Sequence, residues 1–192
     1  SPARSAHAMS QTSSLLLMPA WNDGTRLGVK IVNVDRESRP SVRSSYVLMD
    51  RSTAQPLAVM DGATLTRRRT AAASVLAATF LARPESRRLL LVGTGAMIPG
   101  LIEAYTSAFP FESILIWGRD RESANTAASQ ARAKNHPAEA VTDISSALEQ
   151  ADIVSSATLA TSPLIKGAEL RPGMHVDLIG AFRPEMCEAD GA

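Results

Sequence analysis

The apolar positions of this chain fall into short runs whose character changes near residues 83–87. Before that point the runs 15–18, 27–34, 46–49 and 56–60 are separated by polar turns. Runs of this length bounded by turn residues predict strands, and short connections predict antiparallel pairing. Pro19 closes the first run, and the polar stretch 35–45 reads as a loop. Residues 63–82 then switch to Ala, Leu and Arg, strong helix formers, and Pro84 supplies a stop. After it, apolar runs at 89–92, 113–117, 138–141, 152–157 and 175–179 alternate with helical stretches at 96–108, 122–134 and 144–150. Strands alternating with helices of this length predict a parallel sheet with right-handed crossovers.

Composition limits what such a chain can be. With 45% hydrophobic residues in 192, a core can be buried. Lys and Arg (20) nearly cancel Asp and Glu (19), so no overall field draws the chain to nucleic acid or acidic lipid, and neither is expected as a partner. A single cysteine, Cys187, excludes an internal disulfide and fits a reducing compartment. No apolar run approaches the roughly 18 residues of a spanning helix, and no signal pattern opens the chain, so a cytoplasmic protein is expected. The chain opens without Met, and Glu188-Ala-Asp-Gly-Ala192 follows closely on the fifth strand, so a chain truncated at both ends is expected.

The chemistry centres on Leu89-Leu90-Leu91-Val92-Gly93-Thr94-Gly95-Ala96-Met97. A buried strand running into two glycines one residue apart, then a helix, is what a pyrophosphate resting on backbone amides requires. Ile98 stands where the full fingerprint has a third small residue, and a plain tight strand-to-helix turn is the bland alternative. The expected fold is therefore α/β. A Rossmann-type parallel-sheet nucleotide domain covers 85–192, and a smaller, mixed, mainly antiparallel domain covers 1–84. At the end of the second nucleotide-domain strand, Trp117-Gly118-Arg119-Asp120 puts Gly118 where an acid would bind ribose hydroxyls. Arg119 favours a 2′-phosphate and hence NADPH, while Asp120 either turns toward the ribose or caps the next helix. Ala157 and Thr158 end the fourth strand, where such a sheet lines a nicotinamide ring or substrate.

Other polar residues are weaker candidates. Lys30 interrupts an apolar strand, which fits either an edge strand facing water or an amine reaching a cleft. Arg67, Arg68 and Arg69 open the long helix and point in three directions, so one faces inward or along an interface. His7, His136 and His175 have no metal-ligand spacing, so no metal site is expected. Cys187 has no adjacent base and reads as inert. Asp177 has no assignable partner, and Glu185 and Glu188 read as the first turn of a solvated helix.

Several blocks taken together resemble the ornithine cyclodeaminase and mu-crystallin family. They are Leu17-Met-Pro-Ala20, Leu27-Gly-Val-Lys-Ile-Val-Asn33, Tyr46-Val-Leu-Met-Asp50, Gln55-Pro-Leu-Ala58, Leu65-Thr-Arg-Arg-Arg-Thr-Ala-Ala72, the Gly93-Thr-Gly95 turn and Leu178-Ile-Gly-Ala-Phe-Arg-Pro-Glu-Met186. The resemblance implies a substrate and dimerisation domain, a nucleotide domain and a homodimer. It carries Arg4, Lys30 and Arg69 over as substrate-binding positions, with Lys30 and Arg69 as the catalytic pair. The family's cyclodeaminases have an aspartate after a Gly-Gly pair on the fifth strand, whereas here Gly180-Ala181 precedes Phe182. That departure is similar to the branch that reduces cyclic ketimines. It implies reduction of Δ1-pyrroline-2-carboxylate or Δ1-piperideine-2-carboxylate to L-proline or L-pipecolate with NADPH or NADH. A cyclodeaminase, an amino-acid dehydrogenase and a non-catalytic NADPH and small-ligand binder are the alternatives.

Overall fold

The computed structural model of the chain describes residues 2–22, 24–35, 37–181 and 184–191. The first strands are β1 (Ser5–Ala8), β2 (Ser13–Trp21), β3 (Arg26–Asp35), β4 (Val42–Asp50) and β5 (Pro56–Asp61). They form a five-stranded meander in chain order, antiparallel at every step. This sheet is longer than the apolar runs suggest. All four residues of β1 are exposed, so hydropathy gives no sign of them; pairing from Ser5↔Leu17 to Ala8↔Ser14 makes the strand. The polar residues Arg43 and Ser44, read above as loop, pair with Asn33 and Val32 because a ladder needs backbone groups rather than apolar side chains. β2 runs through Pro19, which lies beyond the pairing with β1, where an open edge tolerates a missing N–H.

The long helix α1 (Gly62–Leu81) follows directly. The Asp61 carboxylate accepts from the Thr64 amide at 2.6 Å, capping the first turn and holding its own pKa below the usual value. Gly62 lets the helix start close to β4, since a Cβ there would lie 2.8 Å from the Ser44 carbonyl carbon. By contacts the chain divides into two compact units, Ser1–Arg68 and Arg69–Ala192. The division falls inside α1, ahead of the 84/85 boundary expected from sequence, because Ala71, Val75 and Ala78 are buried in the core of the second unit.

That unit alternates β6 (Arg88–Val92), α2 (Ile98–Ala108), β7 (Ser113–Trp117), α3 (Arg121–Arg132), β8 (Ala138–Val141), α4 (Ile144–Gln150), β9 (Ile153–Ser156) and β10 (His175–Leu178). The five strands are all parallel in the order β10-β9-β6-β7-β8. Side chains of β6 alternate between two cores. Leu89 and Leu91 pack with Ile98, Leu101 and Tyr105 of α2, while Leu90 and Val92 pack with Ala147 and Leu148 of α4. The chain leaves β6 toward β7 on one side and reaches β9 on the other, so the switch point of the sheet lies between β6 and β9. At the opposite end, Asp152 binds the approach to β6: Oδ1 takes the Arg83 guanidinium at 3.1 Å, and Oδ2 accepts from the amides of Arg87 (2.8 Å) and Arg88 (3.0 Å). Among the described residues no helix is long and apolar enough to cross a membrane.

The turn between β4 and β5 hangs on Asp50, whose carboxylate accepts from the amides of Ser52 and Thr53 and from the Ser52 hydroxyl. These bonds lower its pKa from 3.8 to about 2. A depressed carboxylate stabilises the folded state above its unfolded pKa, and the contribution is lost as pH falls through the folded value. Thermal melts of wild type and Asp50→Asn should therefore differ at neutral pH and converge between pH 3.8 and about 2. A gap that stays constant down to pH 2 would remove this role.

Candidate functional site

The turn after β6 uses its two glycines differently. Gly93 has φ 123°, a conformation that L side chains rarely adopt, and a Cβ there would lie 2.8 Å from the Ala157 carbonyl oxygen. Its amide donates to the Trp117 carbonyl at 2.8 Å, and the Ala157 amide donates to the Val92 carbonyl at 2.9 Å. The turn is thus seated between the ends of β7 and β9. Gly95 is exposed, and a Cβ on it would meet nothing within 4 Å, leaving open space over the backbone. Among the described residues the amides of Thr94, Gly95, Ala96 and Met97 donate to no acceptor. Helix α2 begins at Ile98, two residues later than the expected start, with Pro99 in its first turn and no side-chain cap. Bare amides at a helix N-terminus, with free space before them, have the chemistry to receive an anion. Ile98 is buried in the core between sheet and helices, so the bulky third position is accommodated there.

The end of β7 completes one side. A Cβ on Gly118 would collide with the Thr94 methyl, so this position admits close passage under the turn. The Trp117 indole donates to the Thr142 carbonyl at 3.2 Å. Of the two readings of Asp120, the cap is the one observed: its carboxylate accepts from the Ser123 amide at 2.9 Å and hydroxyl at 2.5 Å, which lowers its pKa. Arg119 is exposed and makes no hydrogen bond or ion pair among the described residues. A surface cavity of about 410 Å³ lies over Thr94, Asp120, Ser123 and Gln130.

The other side holds a residue whose sequence reading is overturned. Glu188, expected in a solvated helical turn, is 3% exposed and sits beside the ends of β9 and β10. Its Oε1 accepts from the Ser156 hydroxyl (2.6 Å), the Thr158 amide (2.8 Å) and the Thr158 hydroxyl (2.8 Å), and its Oε2 from the Gly180 amide (2.7 Å). Its carbonyl accepts from the amides of Leu164 and Ile165, and Ala189 bridges Ile165 in parallel. These partners lie far away in sequence; the one local hint is the small, apolar Ala189 beside it. Asp177 also gains partners, accepting from the Ser155 hydroxyl at 2.8 Å and the Tyr105 hydroxyl at 3.3 Å. Burial first, and then this carboxylate, push the Tyr105 phenol upward. Burial also lowers the His175 pKa, against the pull of Asp177.

In the first unit, Lys30 lies on the central strand β3, so the edge-strand reading does not hold. It shares a face with the buried Gly28 and Val32. Its ammonium donates to the Thr66 hydroxyl at 2.5 Å, and that hydroxyl donates to the Gly62 carbonyl at 2.6 Å. Thr66 was not singled out from sequence; its place in the first turns of α1 was the available signal. Tyr46 pairs across from Lys30, and its ring occupies the space that a side chain on Gly28 would fill. Of the three arginines, Arg67 is the half-buried one and bonds the Thr64 hydroxyl at 2.9 Å. Arg69, which falls in the second unit, and Arg4, ahead of β1, are exposed and make no hydrogen bond or ion pair among the described residues. Phe182 lies outside the described residues.

A doubly wound parallel sheet with a two-glycine turn at its switch point, preceded by an antiparallel meander, defines an α/β protein with a Rossmann-type unit. The model of the ornithine cyclodeaminase/mu-crystallin family matches residues 1–191, and the chain belongs to that family. It is 40% identical to a Δ1-pyrroline-2-carboxylate reductase of Paracoccus denitrificans over 186 residues, 94% of this chain and 59% of that protein. Its fold is similar to that of Δ1-pyrroline-2-carboxylate reductase from Thermococcus litoralis, solved with NADH and L-proline, at TM-score 0.88 and 28% identity over 98% of this chain and 61% of that one. An archaeal alanine dehydrogenase dimer with bound NAD gives TM-score 0.89 and 26% identity, covering 98% and 59%. The chain thus spans about three-fifths of the length of these relatives.

Gly93 combines a positive φ with a backbone oxygen in contact, so Gly93→Ala should destabilise the fold by about 1–3 kcal/mol. Denaturant unfolding measures this directly, and an unchanged midpoint would show that the turn relaxes without strain.

Proposed function

We propose that this protein is a nicotinamide-dependent oxidoreductase that reduces a cyclic imino acid, Δ1-pyrroline-2-carboxylate or Δ1-piperideine-2-carboxylate, to L-proline or L-pipecolate. What carries the reading is the turn after β6, with open space over Gly95 and unpaired amides from Thr94 to Met97. Those amides fit a pyrophosphate, and the donor set is neutral backbone at a helix start, as such a group requires. The identity with a Paracoccus denitrificans reductase supports the substrate class. In this reading residues 1–84 serve the substrate and the dimer contact, and 85–192 serve the nucleotide, in a cytoplasmic homodimer. The dimeric alanine dehydrogenase relative supports the assembly.

A bound reduced nicotinamide supplies the hydride that the C=N carbon accepts. Gly93, Thr94, Gly95, Ala96 and Met97 hold the pyrophosphate, while Trp117, Gly118 and Arg119 border the adenosine ribose. The exposed guanidinium of Arg119 favours a 2′-phosphate, hence NADPH over NADH. Ala157 and Thr158 line the nicotinamide end. Arg4 and Arg69 bind the substrate carboxylate, for which a guanidinium has the matching fork. Lys30 completes the grip and keeps the imine protonated, the better hydride acceptor. Thr66 aims that ammonium: its own proton goes to the Gly62 carbonyl, so its lone pair faces Lys30. Phe182 leaves no carboxylate at the position that the cyclodeaminases use, which favours reduction over ammonia release.

Mixing the full chain with NADPH and Δ1-pyrroline-2-carboxylate should bleach the nicotinamide absorbance. Binding without turnover would favour a small-ligand binder, ammonia release from ornithine with NAD a cyclodeaminase, and NADH oxidation with pyruvate and ammonia an amino-acid dehydrogenase. Losing a charge-assisted bond of about 1.5–3 kcal/mol, Lys30→Ala and Arg69→Ala should each raise KM roughly 10- to 100-fold with cofactor binding intact. Wild-type kinetics in both would place the substrate elsewhere. Arg119→Ala should weaken NADPH far more than NADH, and equal weakening would remove the cofactor preference.

A further inference from the structure

We infer that Glu188 is a positioning residue for the nicotinamide end of the site, latching the loop after β9 to the loop after β10; this rests on the cofactor reading above. Among the described residues no other charged side chain is buried. Burying a carboxylate is costly unless its oxygens are satisfied, and among the described residues two hydroxyls and two backbone amides bond them. A group placed only to fill space would be apolar, whereas Glu188 and its partner Ser156 put a carboxylate and a hydroxyl in the interior.

The latch sits where a ligand would be held. Ser156 ends β9, Thr158 lies just past it, and Gly180 lies just past the end of β10. A Cβ on Gly180 would run into the Thr158 backbone, so the two loops touch there, and Glu188 joins them on both sides of that contact. The neighbouring residue Ala157 has its amide on the Val92 carbonyl and its own carbonyl against Gly93. With the Thr158 amide held by Glu188, the first two amides of the loop are committed, and its start is fixed relative to the turn after β6. Hydride transfer is sensitive to sub-ångström placement of the ring, so a wall set in advance acts on rate.

Glutamine is close in shape but replaces one acceptor oxygen with an NH2 group, which only donates. Turned toward Gly180, its NH2 group meets an N–H; turned the other way it meets three donors. Glu188→Gln therefore keeps the β9 side and opens the β10 side. In the full chain, calorimetric titration should give an ADP-ribose Kd within twofold of wild type, an NADPH Kd weakened at least tenfold, and a kcat lowered at least tenfold. Thr158→Val, which removes one hydroxyl, should show the same pattern at about threefold, and it carries the test if Glu188→Gln does not fold. Unchanged NADPH binding and kcat overturn the inference, as does equal loss of ADP-ribose and NADPH, the mark of a merely structural role. Wild type that binds no dinucleotide sinks the cofactor reading itself. Wild type that binds NADPH but reduces no imine sinks only the substrate class, and the ratio of the two Kd values still decides the role of Glu188.

Discussion

Leu89, Leu90, Leu91 and Val92 have no exposed surface, and the second unit is arranged to keep it so. A strand apolar on both faces must be covered on both, and parallel pairing with crossover helices is the arrangement that covers it. Each such side chain contributes about 1.5–3 kcal/mol when removed from water. Exposed ion pairs such as Lys134–Glu103 or Arg87–Glu112 contribute about 0–1 kcal/mol each. The core therefore decides where Val92 ends, and with it where the turn begins. The bare amides around Gly95 are a by-product of that placement, backbone groups that the fold leaves unpaired.

Polar groups enter the interior mainly where they fasten segments that packing alone leaves loose. Asp152 collects the amides before β6 at one end of the sheet, and Glu188 joins the loops at the other. In the first unit, Thr66 plays a comparable part for Lys30, accepting from the ammonium and passing its own proton to the helix backbone. In each case a polar side chain with fixed partners holds a neighbouring group in one direction.

The alternation of strand and helix after residue 85 was legible because buried parallel strands and amphipathic helices carry strong local patterns. The cap at Asp120 was legible as one of two options, since Asp followed by Ser123 satisfies a helix start locally. β1 was not legible, because its four exposed residues are a strand only through β2. Nor were the roles of the glycines: Gly93 is required by φ and Gly118 by the Thr94 methyl, while a Cβ on Gly95 would meet nothing, and one letter stands for all three. Lys30 stood out as an anomaly in its strand, but its acceptor lies 36 residues on. Glu188 stood out only as a charge after a proline, because its donors lie 8 to 32 residues back.

The order β10-β9-β6-β7-β8 also has a consequence for how the chain comes together. β6 acquires β7 early, through a short helical crossover, but its other neighbour arrives late: Asp152, which binds the amide of Arg88, is 64 residues further on. Contacts of such separation form slowly because the intervening chain must first be gathered in. Until β9 docks, Leu89 to Val92 form an edge strand with unpaired backbone groups, the kind that templates pairing with another molecule. The strand that organises the finished unit is thus, during synthesis and refolding, the segment most in need of protection.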